Sequence, residues 1–176
     1  MLSRDDLGPW MTARGYKCAA EVGVWKGEFS ARILSTWDGT LYMIDAWRHL
    51  EGYQDQCNLS DLEHERCLER AQGVAHAFAP RGMILRGLSL DVVNWVPDGH
   101  FDLVYLDADH SYDAVMKDLA AWRPKIRAGG TLCGHDYMDG VREEGVFGVK
   151  QAVNEFFGRP PEIVTSDYYP SWFYTV

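Results

Sequence analysis

Short apolar runs alternate along this chain with stretches of helical period, and that alternation limits the fold more than any other feature. The runs are Cys18 to Val24, Thr40 to Ile44, Met83 to Leu85, Phe101 to Leu106 and Gly130 to Cys133. Between them, Phe29, Ile33, Leu34 and Trp37 share one helical face, as do Tyr112, Val115, Met116 and Leu119, and later Val149, Ala152, Val153 and Phe156. Ser60 followed by Glu63 has the form of a capping box and predicts a helix running to about Phe78. Strands with little polarity that alternate with amphipathic helices imply a parallel sheet covered on both faces. The end differs: Glu162 to Ser166 and Ser171 to Val176 are β-like runs joined by a short turn with Pro170, which predicts an antiparallel hairpin. Five strands and a hairpin make seven. No repeat, low-complexity stretch or linker interrupts the pattern, so residues 1–176 read as a single domain of α/β class.

Composition narrows the partners. Hydrophobic residues at 47% and charged residues at 24% describe a globular chain and argue against disorder. Seventeen Lys and Arg against 26 Asp and Glu leave a net charge of −9, which repels phosphate backbones, so nucleic acid is not an expected partner. The apolar runs are far too short for a bilayer span, and MLSRDDLGPW carries acidic residues where a secretory segment would turn apolar. Cys18, Cys57, Cys67 and Cys133 form no CxxC pair and read as reduced cysteines of a cytoplasmic protein, rather than a disulfide frame or a zinc site.

The polar residues gather where the strands end. Glu21-Val22-Gly23-Val24-Trp25-Lys26-Gly27 follows the first strand, and glycine at 23 and 27 lets a ligand approach the backbone and opens a helix N-terminus to an anionic group. The alternative is a tight packed turn. Asp45 closes the second run 24 residues after Glu21, a spacing suited to a carboxylate that accepts both hydroxyls of a ribose; the plainer alternative is a helix cap. Phe101 to Tyr112 delivers Asp107, Asp109 and His110, and Gly129 to Tyr137 delivers His135 and Asp136. In parallel strands these C-terminal ends lie on one edge, so the five should converge. Clustered carboxylates and imidazoles need a neutralising divalent cation or a shared proton. Any one of the five alone reads as a strand-end cap. Trp47 to Asn58, with Trp47, His49, Tyr53 and Gln56, fits neither period and is either an ordinary loop or a substrate-covering lid.

In order, EVGVWKGEFS, LYMIDAW, FDLVYLDADHSYDAVMKDLAAWRPKIRAGGTLCGHDY and GVKQAVNEFF resemble the class I S-adenosylmethionine-dependent methyltransferases. The likeness is to the small bacterial group of methyltransferase domain 24, with its macrolide-sugar and aminocoumarin O-methyltransferases, and runs from about Cys18 to Val176. DADHSY and GGxxxGHDY are its specific part, while Trp25 stands where the usual turn has its middle glycine. The resemblance implies a Rossmann-like, doubly wound, mostly parallel seven-stranded sheet with S-adenosylmethionine as cofactor. It puts Glu21 and Gly23 beside the methionine end, Gly27 at the helix start, Asp45 on the ribose and Trp47 near ribose or adenine. Ser89 becomes a candidate for an adenine hydrogen bond, and Asp107 lies near the methyl group.

Metal-dependent relatives take one Asp after the fourth strand and an adjacent pair after the fifth, here Asp107 with His135 and Asp136. The histidine departs from the usual Asp-Asn or Asp-Asp pair and suits Zn, Fe or Mn better than Mg. A lysine three residues after the first Asp in those relatives matches His110, an imidazole suited to take the acceptor proton; in the aminocoumarin relatives the matching base is Asp109. His49, His64, His76 and His100 carry no motif and read as surface residues, with His49 alone a lid contact. Tyr112, Met116 and Trp122 read as helix packing, and Trp172-Phe173-Tyr174 as a last core strand.

The expected reaction is in-line attack of an acceptor oxygen on the sulfonium methyl, with a small-molecule acceptor such as a sugar or phenol. Specificity would come from the Trp47 to Asn58 and Tyr137 to Phe147 stretches, and a homodimer would let a neighbour close the open site. Two rival readings stand beside it: a non-catalytic domain binding S-adenosylmethionine or S-adenosylhomocysteine, and a nicotinamide-dependent oxidoreductase.

Overall fold

The computed structural model describes residues 3–53, 55–143 and 145–176. Met1, Leu2, Gln54 and Glu144 lie outside the described residues, the last two within the stretches 47–58 and 137–147. A 3₁₀ turn at Arg4–Asp6 runs into α1 (Leu7–Ala13), followed by β1 (Cys18–Val22), α2 (Glu28–Thr36), β2 (Thr40–Asp45) and α3 (Asp61–Ala77). Then come β3 (Gly82–Arg86), α4 (Ser89–Val92), β4 (Phe101–Leu106), α5 (Tyr112–Trp122) and β5 (Ile126–Gly134). The chain closes with β6 (Asp139–Arg142), β7 (Gly145–Gly148), α6 (Val149–Phe157), β8 (Ile163–Val164) and β9 (Trp172–Thr175).

The seven-stranded sheet has the order β3-β2-β1-β4-β5-β9-β8. Strands β1 to β5 are parallel, and β9 runs antiparallel to both β5 and β8. This is the expected doubly wound α/β sheet with its C-terminal hairpin. Period two in the strands splits the core: Ala19, Leu41 and Met43 pack under α1, α2 and α3, whereas Ala20, Ile44 and Val104 pack under α5 and α6. Each fully buried Val, Leu or Ile contributes about 1.5–3 kcal/mol over leaving it exposed, so runs apolar on both faces are stable only between two helical layers.

Local signals act as the sequence suggests. Ser60 accepts from the Glu63 N–H while Glu63 accepts from the Ser60 N–H, a reciprocal cap that starts α3. Ile33 and Leu34 on α2 and Trp37 just after it are buried. Two expectations are corrected. The fifth strand begins at Ile126 rather than Gly130, with a register shift opposite Phe101 and Leu103, so its first half is polar and reads as turn. The stretch 137–147 was expected as a loop, but β6 and β7 form a hairpin there. Its Val141 and Val146 pair with each other yet stay 74% and 63% exposed, so no core-facing alternation marks the hairpin.

Candidate active site

The sheet order reverses between β1 and β4, and a crevice opens outside their C-terminal ends. Here Gly23 adopts φ 93°, and a Cβ on it would lie 1.9 Å from the Asp107 carbonyl oxygen. The glycine is therefore required by the close approach of the segment after β4, whose Asp107 N–H donates to Val22 O at 2.7 Å. Gly27, at φ 79°, sits at the start of α2, with Ala71 Cα of α3 only 3.1 Å from where its Cβ would be. The turn is thus packed from both sides and also borders the crevice. Among the described residues three non-glycines hold a left-handed backbone, Trp25 (φ 52°), Trp47 (φ 41°) and Asp136 (φ 55°), and each follows a strand end at this edge. Such strain persists where surrounding contacts impose it, and it clusters at functional sites.

Asp45 supplies much of that imposition. Its Oδ2 accepts from the Val24 and Trp25 N–H groups at 2.9 and 2.8 Å, and its Oδ1 from the Trp47 N–H at 2.8 Å. It still lines the cavity, as do Glu21, Gly23 and Ser89. Trp47 is different: it is 1% exposed, packs in the core under α3, and donates Nε1–H to Trp25 O at 2.7 Å. It does not line the cavity, and its indole props the turn from beneath.

Glu21 is 1% exposed, and burial pushes its carboxyl up to about 8 although Ser30 donates to it at 2.5 Å. The Ser89 hydroxyl donates to Asp118 Oδ1 at 2.5 Å and accepts from Trp122 Nε1 at 2.8 Å. Burial raises Asp118 to about 6, with the Ser89 bond pulling the other way.

At the mouth four of the five strand-end residues, Asp107, His110, His135 and Asp136, come within ion-pair distance of one another. His110 Nε2 lies 2.9 Å from Asp136 Oδ2 and 3.9 Å from Asp107 Oδ1, and its Nδ1 lies 3.5 Å from Asp55 Oδ2. Burial opposes the charged imidazole, but the three carboxylates win and drive its pKa up to about 12. The direction favours a protonated ring that donates to these carboxylates. Its ring stacks on Phe147 at 4.9 Å between centroids. Burial also works against ionising Asp107 and Asp136, yet the histidines hold both below the ordinary carboxylate range. Asp109 Oδ1 accepts from the Ser111 N–H at 2.8 Å, capping the entry to α5.

His135 is engaged from both sides. Arg4 Nη1 donates to its Nε2 at 2.9 Å, which places the ring proton on Nδ1, 3.2 Å from Asp136 Oδ1. The trio of ligand atoms lying within 4.8 Å of one another belongs instead to Asp107, His110 and Asp136. Two carboxylates and an imidazole at that separation could hold one divalent cation, whose charge would offset theirs.

Four residues at this edge were not anticipated. Arg4, from the N-terminal turn, pairs with Asp107 at 3.1 Å and lies 3.9 Å over the Phe29 ring. No sequence motif marks it, because only the packing of α1 on α2 brings it in. Asp55 reaches His110 from the segment after β2. Asp118 was readable as a lone acid on the apolar face Val115, Leu119, Trp122. His64, expected at the surface, is 7% exposed, because it shares the inner face of α3 with Cys67, Leu68 and Ala71.

Together these groups line a cavity of about 680 Å³ that runs from Asp45, Ser89 and Asp118 to Glu21, Asp107 and His110. Sheet order, glycine turn and strand-end carboxylates define the class I S-adenosylmethionine-dependent methyltransferase fold. The chain belongs to the Methyltransferase domain family Methyltransf_24, whose profile matches residues 20–137. Similar solved structures include a Corynebacterium glutamicum protein at 20% identity, with 97% of this chain and 79% of that chain covered and a TM-score of 0.65. An O-methyltransferase from Bacillus cereus in complex with SAH shares 14% identity over 97% and 78% of the two chains, with a TM-score of 0.66. The O-methyltransferase NovP shares 18% over 98% and 78%, also at 0.66. At these identities the likeness speaks for the fold. No curated protein matches the chain in sequence. Among the described residues no helix is long and apolar enough to cross a membrane.

Proposed function

We propose that this protein is an S-adenosylmethionine-dependent O-methyltransferase of a small polar molecule carrying a phenol or sugar hydroxyl. The observation that carries the reading is the single cavity wall joining Asp45, Glu21 and Gly23 to the carboxylates and imidazole at Asp107 and His110. When bound, S-adenosylmethionine supplies an electrophilic methyl group. In this reading Asp45 accepts from the ribose, Glu21 and Gly23 border the amino-acid end, and Ser89 with Asp118 borders the adenine. Phe147, buried between His110 and Tyr169, backs the imidazole from behind.

Asp107, His110 and Asp136 would hold a divalent cation, whose charge favours loss of the acceptor's proton. Mn, Fe or Zn suits that donor set better than Mg. With His110 as a ligand, or held as an imidazolium, Asp109 is the group left to take the proton. The whole of 1–176 acts as one catalytic domain in the cytoplasm, in line with four unpaired cysteines, and a homodimer partner would close the open side. Incubation with methyl-labelled S-adenosylmethionine and a panel of phenols and sugars tests this reading. Label in an O-methyl product is expected; binding of the cofactor without transfer to any acceptor would favour a binding domain instead.

A further inference from the structure

His64 is the cavity-lining histidine that the chemistry above leaves unused. It is 7% exposed, and both ring nitrogens are buried without a hydrogen-bond partner. An unmet buried donor carries a desolvation cost that an apolar residue of similar volume would avoid. The ring belongs to the cavity wall together with Asp45, Trp25, Leu50 and Asn58. Its helix fixes where on that wall it lies. Ala71, two turns further along the same face of α3, packs against Gly27 at the exit of the glycine turn. Cys67, one turn along, lies close enough to Lys26 and Asp45 for both charges to act on its thiol. His49 bridges the loop after β2 to the start of α3, its N–H donating to Asp61 at 2.7 Å. The imidazole therefore shares its part of the cavity wall with Asp45 and the glycine turn.

We infer that His64 is a second polar contact, beside Asp45, to the nucleoside half of the cofactor; the inference rests on the methyltransferase reading above. A neutral imidazole offers one donor and one acceptor, and a ribose hydroxyl offers the complementary pair. Calorimetry with S-adenosylhomocysteine tests it on wild type, His64→Leu, His64→Phe and His64→Gln, alongside melting of each protein without ligand. The apolar variants should bind about three- to tenfold more weakly while their unliganded melting temperature stays level or rises. His64→Gln should recover part of the affinity, and the loss should shrink for analogues lacking a ribose hydroxyl. Unchanged affinity in whichever apolar variant folds would overturn the inference alone, as would an equal loss for the deoxy analogues. Wild type that does not bind S-adenosylhomocysteine would overturn the methyltransferase reading itself.

Discussion

At the scale of single residues, Glu21 and Asp45 show how much one side chain can carry. Folding raises the Glu21 carboxyl from its ordinary 4.5 to about 8, so between those values the native state holds a proton that the unfolded chain has released. Stability therefore falls as pH rises through that window. Glu21→Gln keeps the shape and removes the charge. Without ligand it should match wild type near pH 5 and exceed it at pH 9 by a few kcal/mol (roughly 2–4), read by urea unfolding across the range. Parallel curves would show that the carboxyl is not held neutral. Asp45 accepts three backbone N–H bonds in this structure, so Asp45→Ala should lower unliganded stability as well as affinity for S-adenosylhomocysteine. The affinity loss should be about 1.5–3 kcal/mol for a charge-assisted ribose contact. A fall in melting temperature with an unchanged dissociation constant would leave Asp45 as an anchor of the turn and nothing more.

The segment between β2 and α3 is an element without regular structure, held by side chains. Asn58 is its clasp: its amide donates to Leu50 O and Tyr53 O at 2.8 and 2.7 Å and accepts from the Leu50 N–H at 2.9 Å. Leu50, Tyr53, Asp55 and Asn58 line the cavity, so the segment borders the site. Hydrogen exchange over 47–58 should slow on adding S-adenosylhomocysteine, and Asn58→Ala should speed it in both states by loosening the clasp. Equal, strong protection with and without ligand would mark a rigid loop. The segment stands out in the sequence as an aromatic and polar stretch with no period. Its clasp does not, since nothing in the spacing of Asn58 and Leu50 distinguishes a bond from a coincidence. The β6–β7 hairpin went unread for a related reason: its two valines bury nothing, so no alternation points to a core.

The whole molecule decides the charge balance at the mouth, where β4, β5, the segment bearing Asp55 and the N-terminal turn meet. Adding Mn²⁺ to chelated protein should raise its melting temperature and its methylation rate, and Asp136→Asn should abolish both responses. Full activity in excess EDTA, with no metal found by elemental analysis, would leave the proton transfer to Asp109 with His110 as a fixed donor. What the sequence determined by itself was local or periodic. Two-sided apolar runs demanded a covered parallel sheet, the Ser60–Glu63 box started α3, and polar strand ends marked the edge where Asp45, Asp107, Asp109, His110, His135 and Asp136 would meet. Tertiary structure alone decided which of them pair. Arg4 takes His135 Nε2, three carboxylates surround His110, Trp47 sinks beneath the glycine turn, and His64 turns inward with Cys67 and Ala71. The physical reason is range. Helix and strand preferences act over a few residues, whereas a hydrogen bond or ion pair at this edge joins residues as far apart as Arg4 and His135, and exists only once the core has brought them together.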